Sequence, residues 1–294
     1  MASTDQGSRA DAARIDASLA GLDALELAVP TAPNRAAALW SATWPKLMAI
    51  GIFLGVWQIV VWTHWKPSYI LPGPVATFKA FVDQRSVLRT ATFNTLKRGA
   101  IGFALAVVIG SAVGLAAASS RVLRSGIGSM ITGLQTMPSI AWFPLAIVLF
   151  QLTNAAVLFV VVLGAAPSIA NGLLNGVDNI PPILLRAGRV LGAKGWAGLR
   201  YVVVPAALPT FVGGLKQGWS FAWRSLLAGE LLVIIPGVTA LGQTLEANRD
   251  QSAYPDMMAT MVCIFIVGVA IDALVFSRLD RAVRRRYGLI DTAS

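Results

Sequence analysis

Residues 100–118 read AIGFALAVVIGSAVGLAAA, nineteen positions without a charged side chain. A helix rises about 1.5 Å per residue, so this run reaches roughly 28 Å, close to the hydrocarbon thickness of a bilayer. Gly110 and Gly114, four positions apart, form a small-residue pair that allows a second helix to approach closely. Five more apolar segments lie around it: about Leu47–Trp62, Ile127–Leu152 (broken by Pro138 and Pro144), Ala155–Leu174, Pro205–Ile235 and Met257–Phe276. Several are shorter than the ~20 residues of a perpendicular crossing, so polar flanks must complete them. The composition agrees: 56% of residues are hydrophobic and 13% charged, with a mean hydropathy of +0.67. Soluble domains carry about a quarter charged residues, and half that number cannot cover a globule of this size. The sequence predicts an all-α integral membrane protein of about six transmembrane helices.

Two regions are expected. Residues 1–45 form a polar, cytoplasmic N-terminal tail, and residues 46–294 form the transmembrane domain. The tail has no apolar run before a small-residue cleavage site, so no signal peptide is read there. Ile15, Leu19, Leu22 and Leu25 fall at helical spacing, which fits a short amphipathic helix as well as a loosely docked tail.

The net charge of +10 could mean nucleic acid or positive-inside topology. With the N-terminus inside, thirteen basic residues flank the inner ends of the segments and seven the outer ends, so the topology reading prevails, with both termini cytoplasmic and no nucleic-acid partner. Arg284-Arg285-Arg286 then lies beside anionic membrane lipid. Lys66–Arg89 and Pro236–Asp256 lie outside; Leu71-Pro72-Gly73-Pro74 marks a turn and Val75–Phe81 a short surface helix. Trp57, Trp62 and Trp65 read as interfacial anchors. One cysteine, Cys263, and one histidine, His64, cannot build the usual zinc sites.

The longest inner loop, Asn179–Pro209, carries the functional motif. Pro181 and Pro182 suit a helix start. Arg186 and Arg189 share a helix face, and Gly192 and Gly195 can turn the chain. Pro205 and Pro209 suit the first turns of the next membrane helix. A short helix across the membrane surface, a turn and a re-entry can transmit a push between a soluble partner and the bundle.

This loop resembles the signature loop of bacterial ABC importer permeases, the binding-protein-dependent inner-membrane family: Glu-Ala-Ala, three residues, Gly, nine residues, Ile-x-Leu-Pro. Here Arg186-Ala187-Gly188 occupies the first three positions, Gly192 the glycine, and Val202-Val203-Val204-Pro205 the end. Arg186 stands where the family has Glu, and Gly188 where it has its second Ala. The resemblance extends from about Ile70 to Gly288. Leu134–Pro138, Trp142–Ala146, Gly229-Glu230-Leu231 and Gly242-Gln243 are similar to the nitrate, sulfonate and taurine branch. The resemblance implies a second permease copy, two ATP-binding cassette subunits and an extracytoplasmic solute-binding protein, in a bacterial inner membrane. It implies no cofactor in this chain; ATP and Mg would sit on the partner ATPase, consistent with the missing Gly-x-x-x-x-Gly-Lys-Ser/Thr loop. The surface expected to meet that ATPase is Arg186, Ala187, Gly188, Arg189, Leu191, Gly192, Ala193 and Lys194.

Within the bundle, Lys216, Arg224 and Glu230 interrupt the fifth segment. Intramembrane charges face a cavity or a partner. One reading is a positive path for an anion, with Gln135, Gln217 and Trp223 as further candidates. The other is an internal pair, Arg224 with Glu230 or Asp272. Small sulfonates, taurine and nitrate lead the substrate candidates, with bicarbonate or a pyrimidine vitamin precursor behind. A secondary transporter would show two similar halves, which are not visible. An intramembrane enzyme would need a nucleophile and base or a metal cluster, and the residues offer neither.

Overall fold

A computed structural model describes residues 35–288; the helical spacing at Ile15–Leu25 lies outside them. All regular structure among the described residues is helical. The chain divides into two units, Met1–Val60 and Val61–Ser294. The first contains most of α1 (Arg35–Trp62), whose stretch Thr43–Trp62 is by itself long and apolar enough to cross a bilayer.

The second unit begins with α2 (Pro74–Asp83), the surface helix expected after the Pro72–Pro74 turn. Next come α3 (Arg85–Ser119), α4 (Arg121–Thr136), α5 (Phe143–Phe150) and α6 (Asn154–Asp178). A short helix α7 (Pro182–Val190) and the one-turn α8 (Gly195–Gly198) occupy the long loop. The chain re-enters through a π-helical turn into α9 (Val204–Leu232). It then forms α10 (Leu241–Asp250), α11 (Tyr254–Ile271), a second π-helical turn (Asp272–Phe276) and α12 (Ser277–Arg286).

Of the two prolines in the third segment, only Pro138 breaks it. Met137 is extended (φ −84°, ψ 128°), as steric conflict with a following proline ring requires. Pro144 sits in the first turn of α5, where its missing N–H has no helical acceptor to lose. The two arms bend by 99°. They still make one traverse of the bundle. Arg124 pairs with Asp178 at 2.5 Å, Gln135 bonds Ser168, and Phe143 lies against Gly229 and Val157. From α4 to α5 the partners on α6 therefore fall from 178 to 157, antiparallel throughout.

Glycines set the other directions. A Cβ on Gly102 would meet Val161, one on Gly110 the Ala166 carbonyl at 2.6 Å, and one on Gly114 the Ala170 carbonyl at 3.0 Å. Both series ascend, so α3 and α6 are parallel, and the Gly110/Gly114 pair is a site of close approach. Against α9 the series descends: Gly164 faces Ser225, Gly172 faces Gly214 and Gly176 faces Ala207. The traverses α3, α4–α5, α6, α9 and α11–α12 thus alternate, with α6 at the centre. Val157, Val160, Val161 and Ile169 of α6 are fully enclosed with Phe143 and Leu226. In lipid, apolar side chains gain little by leaving the solvent, so close backbone contact at small residues carries the packing.

Candidate functional site

The inner loop ends α7 in a Schellman-type turn. Ala193 N–H donates to the Gly188 carbonyl at 2.9 Å and Gly192 N–H to Arg189 at 3.2 Å, with Gly192 at φ +84°. No atom lies within 4 Å of a Cβ placed on Gly192, so the left-handed backbone, rather than crowding within the chain, selects glycine there. Gly188 is the crowded position, where a Cβ would sit 2.6 Å from Val202 Cγ2. Glycine in place of the family's alanine lets α7 rest on the re-entry turn. Arg186, Ala187, Arg189, Leu191, Gly192 and Lys194 are exposed and Ala193 half-buried. Val190 and Leu191 are 86% and 85% exposed. The loop therefore presents uncovered apolar side chains ringed by three cations.

The ionisable residues of α9 have separate fates. Glu230 is fully enclosed and accepts from three donors: Arg98 Nη1 at 2.9 Å, Thr95 Oγ1 at 2.9 Å and Gly242 N–H at 3.1 Å. The Thr95 hydroxyl also accepts from Leu241 N–H at 2.9 Å. This knot caps the start of α10 and ties the segment between α9 and α11 to α3 and α9. Lys216 reaches Asp272 at 3.2 Å and Ser277 at 3.5 Å, at the second π-helical turn, with both charged side chains about 40% exposed. Of the two readings of Arg224, the internal pair with Glu230 or Asp272 is not formed, because both acids hold other cations.

Arg224 has no acid partner among the described residues. It donates to the Ser220 carbonyl at 3.1 Å and lies over the Phe221 ring. It lines a cleft of about 320 Å³ at the broken α4–α5 corner, with Gln135, Thr136, Ser139, Trp142, Gly164 and Phe221 among its neighbours. Gln135 Nε2 donates to Ser168, and Ser225 donates to Ser139 at 2.7 Å. Arg224 and Gln135 thus meet in one cavity, whereas Glu230 and Lys216 do not reach it. Trp223 is turned toward Trp219, stacked at 6.2 Å, within an aromatic cluster that includes Phe103 and Phe276.

A polar stripe runs along α9 that its charged residues alone do not reveal. Gly213, Gln217, Ser220 and Arg224 follow one another at three- and four-residue steps and are all exposed on one face of α9. A face without an apolar side chain is unsuited to lipid. Its signal was present as spacing, although Gly213 and Ser220 carry no charge to draw notice.

Residues 106–288 match the family described as binding-protein-dependent transport system inner membrane component. The chain belongs to that family. A probable ABC transporter permease protein of Brucella melitensis is 29% identical over 231 residues, 78% of this chain and 92% of the relative. The bicarbonate transport system permease protein of Synechococcus elongatus is 29% identical, covering 76% of this chain and 83% of its own length. The nitrate import permease protein of the same organism is 27% identical, covering 79% and 86%. Among solved structures, an inward-facing methionine ABC transporter aligns with a TM-score of 0.59 at 22% identity, over 68% of this chain and 98% of its own; the likeness is one of fold. The chain is a multi-pass membrane permease subunit of the ABC import class, a transport component whose family works with ATPase and binding-protein subunits.

Proposed function

We propose that two copies of this chain, facing each other across the polar stripe of α9, form the passage of an importer for a small oxyanion of the nitrate or organic sulfonate (taurine-like) kind. The observation that carries this reading is Arg224: a cation without an acid partner among the described residues, at the head of an exposed polar stripe and inside a cleft with Gln135. Hydrocarbon would leave those groups unsatisfied, so a second copy and an aqueous passage are their natural surroundings. Positive potential in a low-dielectric passage favours an anion without requiring a deep site. The nitrate and bicarbonate relatives support an oxyanion and do not separate the two.

In this reading the α7 loop docks on a partner ATPase, which supplies the ATP and Mg site, and an extracytoplasmic binding protein delivers the solute. The inner loop and the Arg-rich end of α12 lie on one side of the bundle, which positive charge assigns to the cytoplasm of a bacterial inner membrane. By the same charge bias we assign both termini to that side. The test is Arg224→Met in the assembled complex. ATP hydrolysis should persist while nitrate and sulfonate uptake fall by at least about tenfold, the order expected for losing a charged contact. Undiminished uptake by an assembled variant would overturn the oxyanion reading.

A further inference from the structure

A second cavity, of about 270 Å³, lies at the opposite end of the bundle from the α7 loop. It is lined by Asn94, Lys97, Arg98 and Ile101 of α3, Asn154 and Leu158 of α6, and Val238. Among the described residues, Lys97 and the side chain of Asn154 have no protein partner. Arg98 is only 7% exposed, and among the described residues its Nη1 alone is engaged, by Glu230. A buried guanidinium with donors to spare, a free ammonium and a free amide therefore converge where α6 begins.

This cavity is not a continuation of the Arg224 cleft. Asn154 and Leu158 line one face of α6, and Leu163 and Gly164 line the cleft from another; at 3.6 residues per turn the two faces lie roughly 150° apart. Its layout is also graded. Ile101 lies about one turn beyond Lys97 and Arg98 on α3, and Leu158 about one turn beyond Asn154 on α6, both toward the middle of the bundle. An apolar floor continuous with the hydrocarbon lets a lipid keep its acyl chain in apolar surroundings while its headgroup sits among the cations, whereas a hydrated solute anion finds no polar partner there.

We propose that this cavity holds the phosphate headgroup of an anionic membrane phospholipid, with Lys97, Arg98 and Asn154 on the phosphate oxygens and an acyl chain along Ile101 and Leu158. The lipid would share Arg98 with Glu230 and so bear on the capped start of α10. The site is separate from the solute passage and does not depend on which solute is carried.

The test uses the full assembled complex, delipidated in neutral detergent. Dioleoyl phosphatidylglycerol should raise its thermal midpoint, and dioleoyl phosphatidylcholine should raise it less. Lys97→Gln, an exposed position whose change leaves the Glu230 knot intact, should weaken the phosphatidylglycerol response about fivefold in lipid concentration. Ile101→Asn should weaken it as well. Glycerol phosphate, which has the anion without the chains, should have no effect at the same concentrations. An unchanged lipid response in Lys97→Gln overturns the proposal. A response to glycerol phosphate that Lys97→Gln abolishes overturns it in favour of a soluble-anion site.

Discussion

The two ion pairs of α9 sit fourteen positions apart and are built differently. Glu230 is sealed, its carboxylate met by a guanidinium, a hydroxyl and a backbone N–H. Lys216 and Asp272 meet at 3.2 Å with side chains 43% and 40% exposed, beside a π-helical turn. A sealed pair resists rearrangement, because opening it strands charge in a medium that cannot solvate it. An open pair can part and re-form, since each partner keeps access to its surroundings. The same helix is therefore fixed at its outer end and adjustable toward its inner end. If the α7 loop docks on an ATPase as proposed, the fixed end would hold the α10 loop in register while the adjustable end yields.

The contrast breaks first at the sealed end. Arg98→Met leaves Glu230 enclosed without its cation, and Glu230→Leu leaves the guanidinium enclosed without its anion. Each should cost about 3–5 kcal/mol, seen as loss of monodisperse complex or a large fall in its thermal midpoint. The double variant should recover much of that loss, but not all. Gly242 N–H would still lack its acceptor, which leaves a deficit of about 1–3 kcal/mol. Single variants that behave like the native chain would show that the knot is ornamental.

A smaller change sharpens the same point. Thr95 is fully buried and its hydroxyl joins Glu230 to Leu241 N–H. Thr95→Val keeps the shape and removes both bonds, at an expected cost of about 1–3 kcal/mol. Hydrogen exchange should locate the effect at the start of α10, with faster exchange at Leu241 and Gly242 and little change in α6. A uniform increase over the bundle would mean that the hydroxyl serves packing in general rather than the outer loop.

The limits of the sequence reading follow from the same two pairs. Spans, the break at Pro138, the close approach at Gly110 and Gly114 and the turn at Gly192 all depend on neighbours within a few positions, and these were legible. The partner of Glu230 stands 132 positions away on α3, and in sequence Arg98 is one of the seven basic residues at the outer flanks. Nothing local distinguishes a flanking arginine from a buried one; the packing of α3 beside α6 decides it. Helix α10 is legible only as part of an outer segment, because its sequence is polar and its start is held by Thr95 and Glu230 from elsewhere. The α7 loop was legible as a motif, but its fit to Val202 through Gly188 was not, since that depends on how the chain folds back.

The smallest expected effect on stability belongs to the open pair, and it is the most informative for transport. Lys216→Met keeps the aliphatic stem and removes the charge. Where such a pair opens on the proposed aqueous passage it is worth about 0.2–1 kcal/mol, as water-exposed pairs are, so the complex should assemble with a thermal midpoint close to that of the native chain. Asp272 would lose its cation but remain about 40% exposed, able to recruit water or counter-ion. If the pair parts and re-forms as the bundle rocks, ATP hydrolysis should persist while solute uptake per ATP falls. Asp272→Asn should reproduce that uncoupling, because it removes the same contact from the other side. A loss of stability as large as that of Arg98→Met would erase the distinction between the two ends of α9. Normal uptake and normal stability in both variants would leave Lys216 as a surface charge with no part in the cycle.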